Sequence, residues 1–372
     1  MNKLIFANLL YRPLRSVISV LAVAIEVIMI LSIVAIFMGM LDSQKQRTNG
    51  IGADLLLLPS NASVFNGLGS PSMLIRDKEV LEKLPHVAVV SPAIQKITTN
   101  GSVEILYGID FESFNALRPF VFLSGGKFAG PNDAIIDDKF AGSRNPATGK
   151  PYTVGDTVKI LGQPFRVSGV VEQGKGGRKL IPLDTMGQLV DAEGKASLFY
   201  IKCDNPANDD AVMDEVRGIR GFGNNTLLTV DSWMDQMTPH NLPGFNLALE
   251  IVTGIAVVIG FLVIFQSMYT AILERTREIG ILKSMGASKL TIVSAVLREC
   301  AILAAAGVLV GIAGTYGVSA LMTHLFPTQT FEITGTWIAY AALIAFTGSI
   351  CGALYPAWMA ARKDPIDALA YE

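Results

Sequence analysis

Four long apolar runs constrain this chain more than any other feature. They occupy residues 17–41, 245–273, 292–322 and 337–355. A helix needs about 20 apolar residues to cross the hydrocarbon core of a bilayer. Backbone groups find no water there, so such runs can cross only as helices. Four transmembrane helices are therefore predicted. The low charge agrees: 17% of the 372 residues are Asp, Glu, Lys or Arg, where a soluble domain carries roughly 25%. The first run, at about 25 residues, exceeds the apolar region of a signal peptide and is followed by no small-x-small cleavage pattern. It reads as a retained helix. Residues 1–16 mix Leu4, Ile5, Leu9 and Leu10 with Lys3, Arg12 and Arg15, the pattern of a short interfacial helix that Pro13 breaks.

Residues 42–244 are of another kind, with short apolar runs, frequent Gly and Pro, and no span. About 200 residues can bury a core of their own. Strands are predicted at 53–58, 87–90, 103–109, 133–136 and 198–201, and helices at 78–84 and 209–217. Residues 156–160 and 165–171 read as the arms of a hairpin turning at 161–163. This is an α+β domain inserted between helices 1 and 2.

Basic residues set the topology. Lys3, Arg12 and Arg15 lie before span one; Arg275, Arg277, Lys283 and Lys289 lie between spans two and three; Arg362 and Lys363 follow span four. The loop at 323–336 has no Lys or Arg. Both termini and the charged link are then cytoplasmic, and the large domain is periplasmic or extracellular. Glu26 lies inside the first span, where an ionisable group costs a few kcal/mol unless paired or hydrated. It reads either as a polar contact on a path or helix interface, or as a protonated or hydrogen-bonded carboxyl facing another helix. Gly307, Gly311 and Gly314 in span three, and Gly348 and Gly352 in span four, have the spacing of close helix contacts. Spacing alone leaves packing within the chain and dimerisation equally open.

Catalytic chemistry finds no constellation. His86, His240 and His324 are scattered, and Cys203, Cys300 and Cys351 form no framework. No metal site or catalytic residue is assigned. A net charge of -2 gives no footprint for nucleic acid. Gln173-Gly174-Lys175-Gly176-Gly177-Arg178-Lys179 is Gly-rich and basic but lacks the phosphate-loop pattern. It reads as a solvated loop tip or as an exposed contact for a partner or lipid headgroup. Gly125-Gly126-Lys127 and Gly149-Lys150-Pro151 fail the pattern too.

The link between spans two and three, residues 274–291, is too charged for lipid. Ile279, Leu282 and Met285 recur three apart, as if on one face of a short helix. Gly286 suits its C-terminal end and Ser288 the cap of the next helix. Such a helix fits a groove on a soluble subunit or lies on the lipid surface.

The run Glu274-Arg275-Thr276-Arg277-Glu278-Ile279-Gly280-Ile281-Leu282-Lys283-Ser284-Met285-Gly286-Ala287-Ser288 resembles the signature of FtsX/MacB-type ABC transporter permeases. Tyr355-Pro356-Ala357-Trp358, Ala360-Ala361-Arg362 and Asp364-Pro365-Ile366-Asp367-Ala368-Leu369 are similar to the closing motif of that family. Asn8-Leu9-Leu10 with Arg12 resembles its opening, and Gly155-Asp156-Thr157-Val158 with Phe165-Arg166-Val167-Ser168-Gly169-Val170 its extracytoplasmic hairpin. The resemblance implies a permease of the bacterial inner membrane with a MacB-like core domain at 42–97 and 152–244 and an inserted subdomain near 98–151. It implies a cytoplasmic ATPase subunit that binds ATP and Mg, and a second permease copy or paralogue. It leaves room for a periplasmic adaptor. By the same resemblance Glu274, Arg275, Arg277, Glu278, Ile279, Gly280, Leu282, Lys283, Met285 and Gly286 form the segment that couples to the ATPase. The function implied is export or extraction of a hydrophobic or amphiphilic cargo (lipid, lipoprotein, drug or peptide). The alternative is an FtsX-like regulator of an extracytoplasmic partner such as a cell-wall hydrolase.

Overall fold

A computed structural model of the chain describes residues 13–60, 71–98, 104–236, 238, 245–326 and 328–362. The interfacial helix expected before residue 13, His240 and the closing motif beyond residue 362 lie outside them. The chain forms two compact units. One comprises Met1–Gly39, Gly244–Leu325 and Phe331–Glu372; the other comprises Met40–Pro243 and Phe326–Thr330.

Helix α1 runs from Pro13 to Asn49. Pro13, expected as a breaker, is the first described residue of this helix. The helix passes the end expected at residue 41 because Gln44, Lys45, Gln46 and Arg47 are good helix formers. Hydropathy marks where lipid ends, not where a helix ends.

The second unit continues through β1 (Leu55–Leu58), β2 (Met73–Leu74), α2 (Lys78–Leu81), β3 (Val87–Thr98), β4 (Glu104–Ile109), α3 (Phe111–Leu117), β5 (Phe122–Gly125), β6 (Asp133–Asp137), α4 (Asp138–Ala141), β7 (Thr157–Ile160), β8 (Gln163–Val171), β9 (Lys179–Pro182), α5 (Leu183–Leu189), β10 (Lys195–Ala196), β11 (Leu198–Cys203), α6 (Asp209–Gly218), β12 (Thr226–Thr229) and α7 (Val230–Gln236). Ten strands form one mixed sheet in the order β12-β1-β11-β3-β4-β9-β6-β8-β5, with β7 on β8. The all-leucine β1 is buried on both faces. Leu55 and Leu57 enter a core with Val90, Phe199 and Val212, while Leu56 and Leu58 enter another with Tyr107, Phe114 and Tyr200. Period-two alternation sends successive side chains to opposite faces. The β7–β8 turn places Leu161 and Gly162 at φ 50 and 82, the two positive angles of a type I′ hairpin.

Residues 98–151, expected as an inserted subdomain, supply β4, β5 and β6 to this same sheet. β4 pairs antiparallel with β3 and parallel with β9, and β6 lies between β9 and β8. Their backbone groups are satisfied by the strands on either side of them in that sheet.

The other unit adds α8 (Phe245–Glu274), α9 (Thr276–Ser284), α10 (Lys289–Leu325) and α11 (Gly335–Arg362) to α1. α1, α8, α10 and α11 are long and apolar enough to span a membrane. Glycines bring their backbones together. A Cβ on Gly307 or Gly311 of α10 would lie 2.6 or 2.7 Å from the Cβ of Val23 or Val27 on α1, and one on Gly314 would lie 2.6 Å from Ile28 Cδ1. On α11, a Cβ at Gly352 would lie 2.9 Å from the Phe261 carbonyl of α8. Gly348 is looser, with Val257 Cγ1 at 3.9 Å. Glu26 of α1 faces α8 and is 3% exposed. Neither carboxyl oxygen has a hydrogen-bond partner among the described residues. Gly260 makes its room, since a Cβ there would lie 1.9 Å from Oε2. Seven residues away on each helix, the Ser19 and Ser267 hydroxyls are 2.6 Å apart.

Candidate functional site

The charged link folds into α9, and its inner side is tied down at both ends. Arg275 interrupts the helix between α8 and α9. Its Nη1 donates to Glu299 Oε2 at 3.1 Å and Oε1 at 3.3 Å on α10. Both side chains are largely buried, at 13% and 11% exposure. Thr276 Oγ1 donates to the Leu273 and Ile272 carbonyls at 2.9 and 3.1 Å. Lys283 Nζ donates to the Ala361 carbonyl at 3.0 Å, near the end of α11. Thr276 and Gly280 are buried, and Ile279 packs against Ile272, Ile292 and Ala360.

The end of α9 follows the glycine rule. Gly286 has φ +92; its N–H donates to the Lys283 carbonyl, and the Ala287 N–H donates to the Leu282 carbonyl, each at 3.0 Å. This is the paired closure of a Schellman motif. Ser288 Oγ accepts from the Thr291 N–H at 3.2 Å and caps α10.

The outer side carries Arg277, Glu278, Ile281, Leu282 and Met285, all exposed, Met285 at 75%. Ile279, Leu282 and Met285 therefore do not share a face, as their spacing had implied. At 3.6 residues per turn, two steps of three drift by about 120° around the helix; 276, 280 and 283 hold one side. Glu274, at the end of α8, is also exposed. The sequence reading missed Glu299. Its signal was an acid beside Arg298 at the head of an apolar helix, which a count of basic residues passes over. It also missed Gly260, whose only signal is being a glycine in an apolar run.

Chemistry elsewhere is sparse. Among the described residues, Asp54, Cys203 and Asp209 bring ligating atoms within 4.8 Å of one another. Burial, and then the neighbouring Asp209 carboxylate, push the Cys203 thiol up to about 12. The thiol is thus protonated at neutral pH. A cavity of about 530 Å³ in the α+β unit is lined by Phe111, Phe128, Pro92 and Pro131, with Lys78 Nζ 3.5 Å from Asp110 Oδ2. Its lining also includes Asp184 and Thr185, whose Oγ1 donates to the Pro131 carbonyl at 2.8 Å.

The Gly-rich loop 173–179 is not a solvated tip. Lys175, Gly176 and Gly177 are buried. A Cβ on Gly176 or Gly177 would lie 2.7 or 2.6 Å from the Tyr107 ring. That tyrosine, with Tyr200, accepts from Gln95 Nε2 at 2.9 and 2.8 Å. The glycines let the backbone lie flat on a buried aromatic pair, a packing role that composition does not separate from flexibility.

These features define a four-span membrane permease with an α+β domain between its first and second spans. Residues 16–219 match the MacB-like periplasmic core domain, and residues 250–365 match the FtsX-like permease C-terminal domain. The chain belongs to the FtsX/MacB-type ABC transporter permease family. It is 26% identical over 407 residues to an uncharacterized ABC transporter permease, YknZ of Bacillus subtilis (strain 168), covering 100% of this chain and 98% of the relative. It is 25% identical over 406 residues to the macrolide export ATP-binding/permease protein MacB of Bdellovibrio bacteriovorus, covering 99% of this chain and 61% of that protein. The periplasmic region of MacB from Actinobacillus actinomycetemcomitans, a solved structure, aligns with 53% of this chain and 97% of its own at 15% identity and a TM-score of 0.39.

Proposed function

We propose that this permease transmits conformational change from a cytoplasmic ATPase to its extracytoplasmic domain, and so exports or extracts a hydrophobic or amphiphilic cargo. The carrying observation is α9: its inner side is fastened to α10 by Arg275 and Glu299 and to α11 by Lys283, while its outer side stands exposed. A helix held this way moves with the membrane helices, and whatever docks on its outer side moves them. ATP and Mg belong to the docked subunit. A second permease copy or a paralogue completes the permease pair, with both termini and α9 on the cytoplasmic side of the cell membrane. Coupling between distant sites requires an element with two discrete arrangements. Helix α1, which carries residues of both compact units, is that element here. Export is favoured over regulation because relatives matched across nearly the whole chain are named macrolide exporters.

The test is Glu278→Lys in the reconstituted permease with its ATPase. Glu278 is exposed, so the fold should survive. Cargo movement and the dependence of ATP hydrolysis on the permease should both fall at least about tenfold, the value of one charge-assisted contact. Full transport by the variant would remove α9 from the coupling role.

A further inference from the structure

The loop between β8 and β9 carries charge that the transport reading does not use. Lys175, at 7% exposure, is answered internally: its Nζ donates to the Arg118 carbonyl at 2.6 Å and lies 5.3 Å from the Phe120 ring centroid. Arg178 is not fully answered. Its Nη2 donates to the Thr328 carbonyl, but its Nη1 is buried with no hydrogen-bond partner among the described residues. Leaving a buried donor unmade costs about 1–3 kcal/mol, and more when it is charged.

Arg47, in the last turn of α1, is beside it. The Arg47 carbonyl accepts from the Gly176 N–H at 3.0 Å, and the two guanidinium charges repel one another. Asp137 is the acid that acts on both. It is buried, and its Oδ1 accepts from the Phe140 N–H at 2.6 Å as the cap of α4. Among the described residues no ion pair joins either arginine to it. Arg47 Nη2 donates to the neutral Gln44 Oε1 at 3.0 Å, so the two cations share one carboxylate that is already engaged. The backbone around them is fixed: a Cβ on Gly50 would lie 1.9 Å from the Gly174 carbonyl, and Gly174 and Gly176 sit at φ +120 and +74. Depth matters too. Arg47 follows Leu41, the last residue of the first apolar run, by six residues, or about 9 Å of helix. The interfacial layer is about 5–8 Å deep on each side, so Arg47 stands at its outer edge.

We propose that Arg47 and Arg178 form a binding site for a phosphate-class oxyanion, supplied either by the headgroup of an anionic phospholipid or by free phosphate. Paired guanidinium forks match phosphate oxygens in geometry as well as charge. A bound oxyanion relieves the repulsion between the two guanidinium groups, and it supplies the acceptor that Arg178 Nη1 lacks once that buried nitrogen turns toward it.

The experiment uses the full chain, purified in a neutral detergent. Retained lipid is read by native mass spectrometry, and thermal stability is read in micelles containing phosphatidylglycerol, a phosphate-free galactosyl diacylglycerol, or inorganic phosphate without lipid. Phosphatidylglycerol should be retained and should raise the unfolding temperature; the glycolipid should do neither. Arg47→Gln and Arg178→Gln should each cut retention at least about tenfold, the worth of one charge-assisted hydrogen bond. Arg178→Lys, which keeps the charge and loses the fork, should fall between. Inorganic phosphate matching the phosphatidylglycerol effect would identify free anion as the source, and phosphate without effect would identify lipid. Equal retention and stabilisation by the glycolipid would overturn the proposal, a comparison that needs no variant. So would folded Gln variants that keep phosphatidylglycerol as the native chain does.

Discussion

Replacing Glu299 by Gln removes the charge that Arg275 faces while keeping the shape of the side chain. The two groups meet at 3.1 and 3.3 Å and are only 13% and 11% exposed. Solvent screening is therefore weak, and the surface value of an ion pair, about 0–1 kcal/mol, does not apply. Breaking a buried pair by removing one charge costs about 3–5 kcal/mol. Gln still offers one acceptor, so about 2–3 kcal/mol is the working figure. The loss falls at the start of α9, because Arg275 precedes Thr276 and fixes the turn between α8 and α9. Hydrogen exchange of the full chain in lipid nanodiscs reads this directly. Peptides covering 275–286 should exchange roughly 30–100-fold faster in Glu299→Gln, at a factor of ten per 1.4 kcal/mol. The swap Arg275→Glu with Glu299→Arg should recover at least half of that protection. Unchanged exchange of α9 in a folded Glu299→Gln protein would refute the view that this pair holds the helix.

Gly352→Ala should lower the unfolding temperature in detergent by a few degrees, since its Cβ would meet the Phe261 carbonyl at 2.9 Å; overpacking costs about 1–3 kcal/mol. Gly348→Ala should be neutral or stabilising, because its neighbour is at 3.9 Å and Ala is the better helix former by about 1 kcal/mol. Equal effects at both positions would contradict the assigned contacts. Burial pushes Asp137 from its ordinary 3.8 up to about 6, against the pull of Arg178 and Arg47. A raised acid favours the folded state below its unfolded value, so the contribution is lost as pH rises from about 4 through about 6. Asp137→Asn can still cap α4. It should flatten that pH dependence and be more stable above pH 6 by up to about 3 kcal/mol, read by thermal unfolding of the full chain. An unchanged pH slope would place the titration elsewhere.

The membrane architecture was legible because lipid imposes one rule on every residue of a span, so length and apolarity suffice. The turn at Leu161-Gly162, the Gly286 terminus and the Ser288 cap were legible because each is set by two or three adjacent residues. What escaped depends on pairs distant in sequence. Glu299 acquires meaning only opposite Arg275, and Gly260 only opposite Glu26. The burial of Lys175 follows from Arg118 and Phe120, which no local pattern reveals. Short strands such as β5, β9 and β12 carry too few residues for a period, and their partners in the sheet define them.

The central claim is that the outer side of α9 docks an ATP-binding subunit. Leu282→Asp with Met285→Asp tests it most directly, since both side chains are exposed and neither supports the helix from within. The tagged native and variant chains are purified from native membranes in mild detergent, and their partners are quantified by mass spectrometry. The account predicts a stoichiometric ATP-binding protein with the native chain and its loss, by about tenfold or more, from a variant that elutes and melts normally. Retention of that protein at the native level by the double variant would contradict the account.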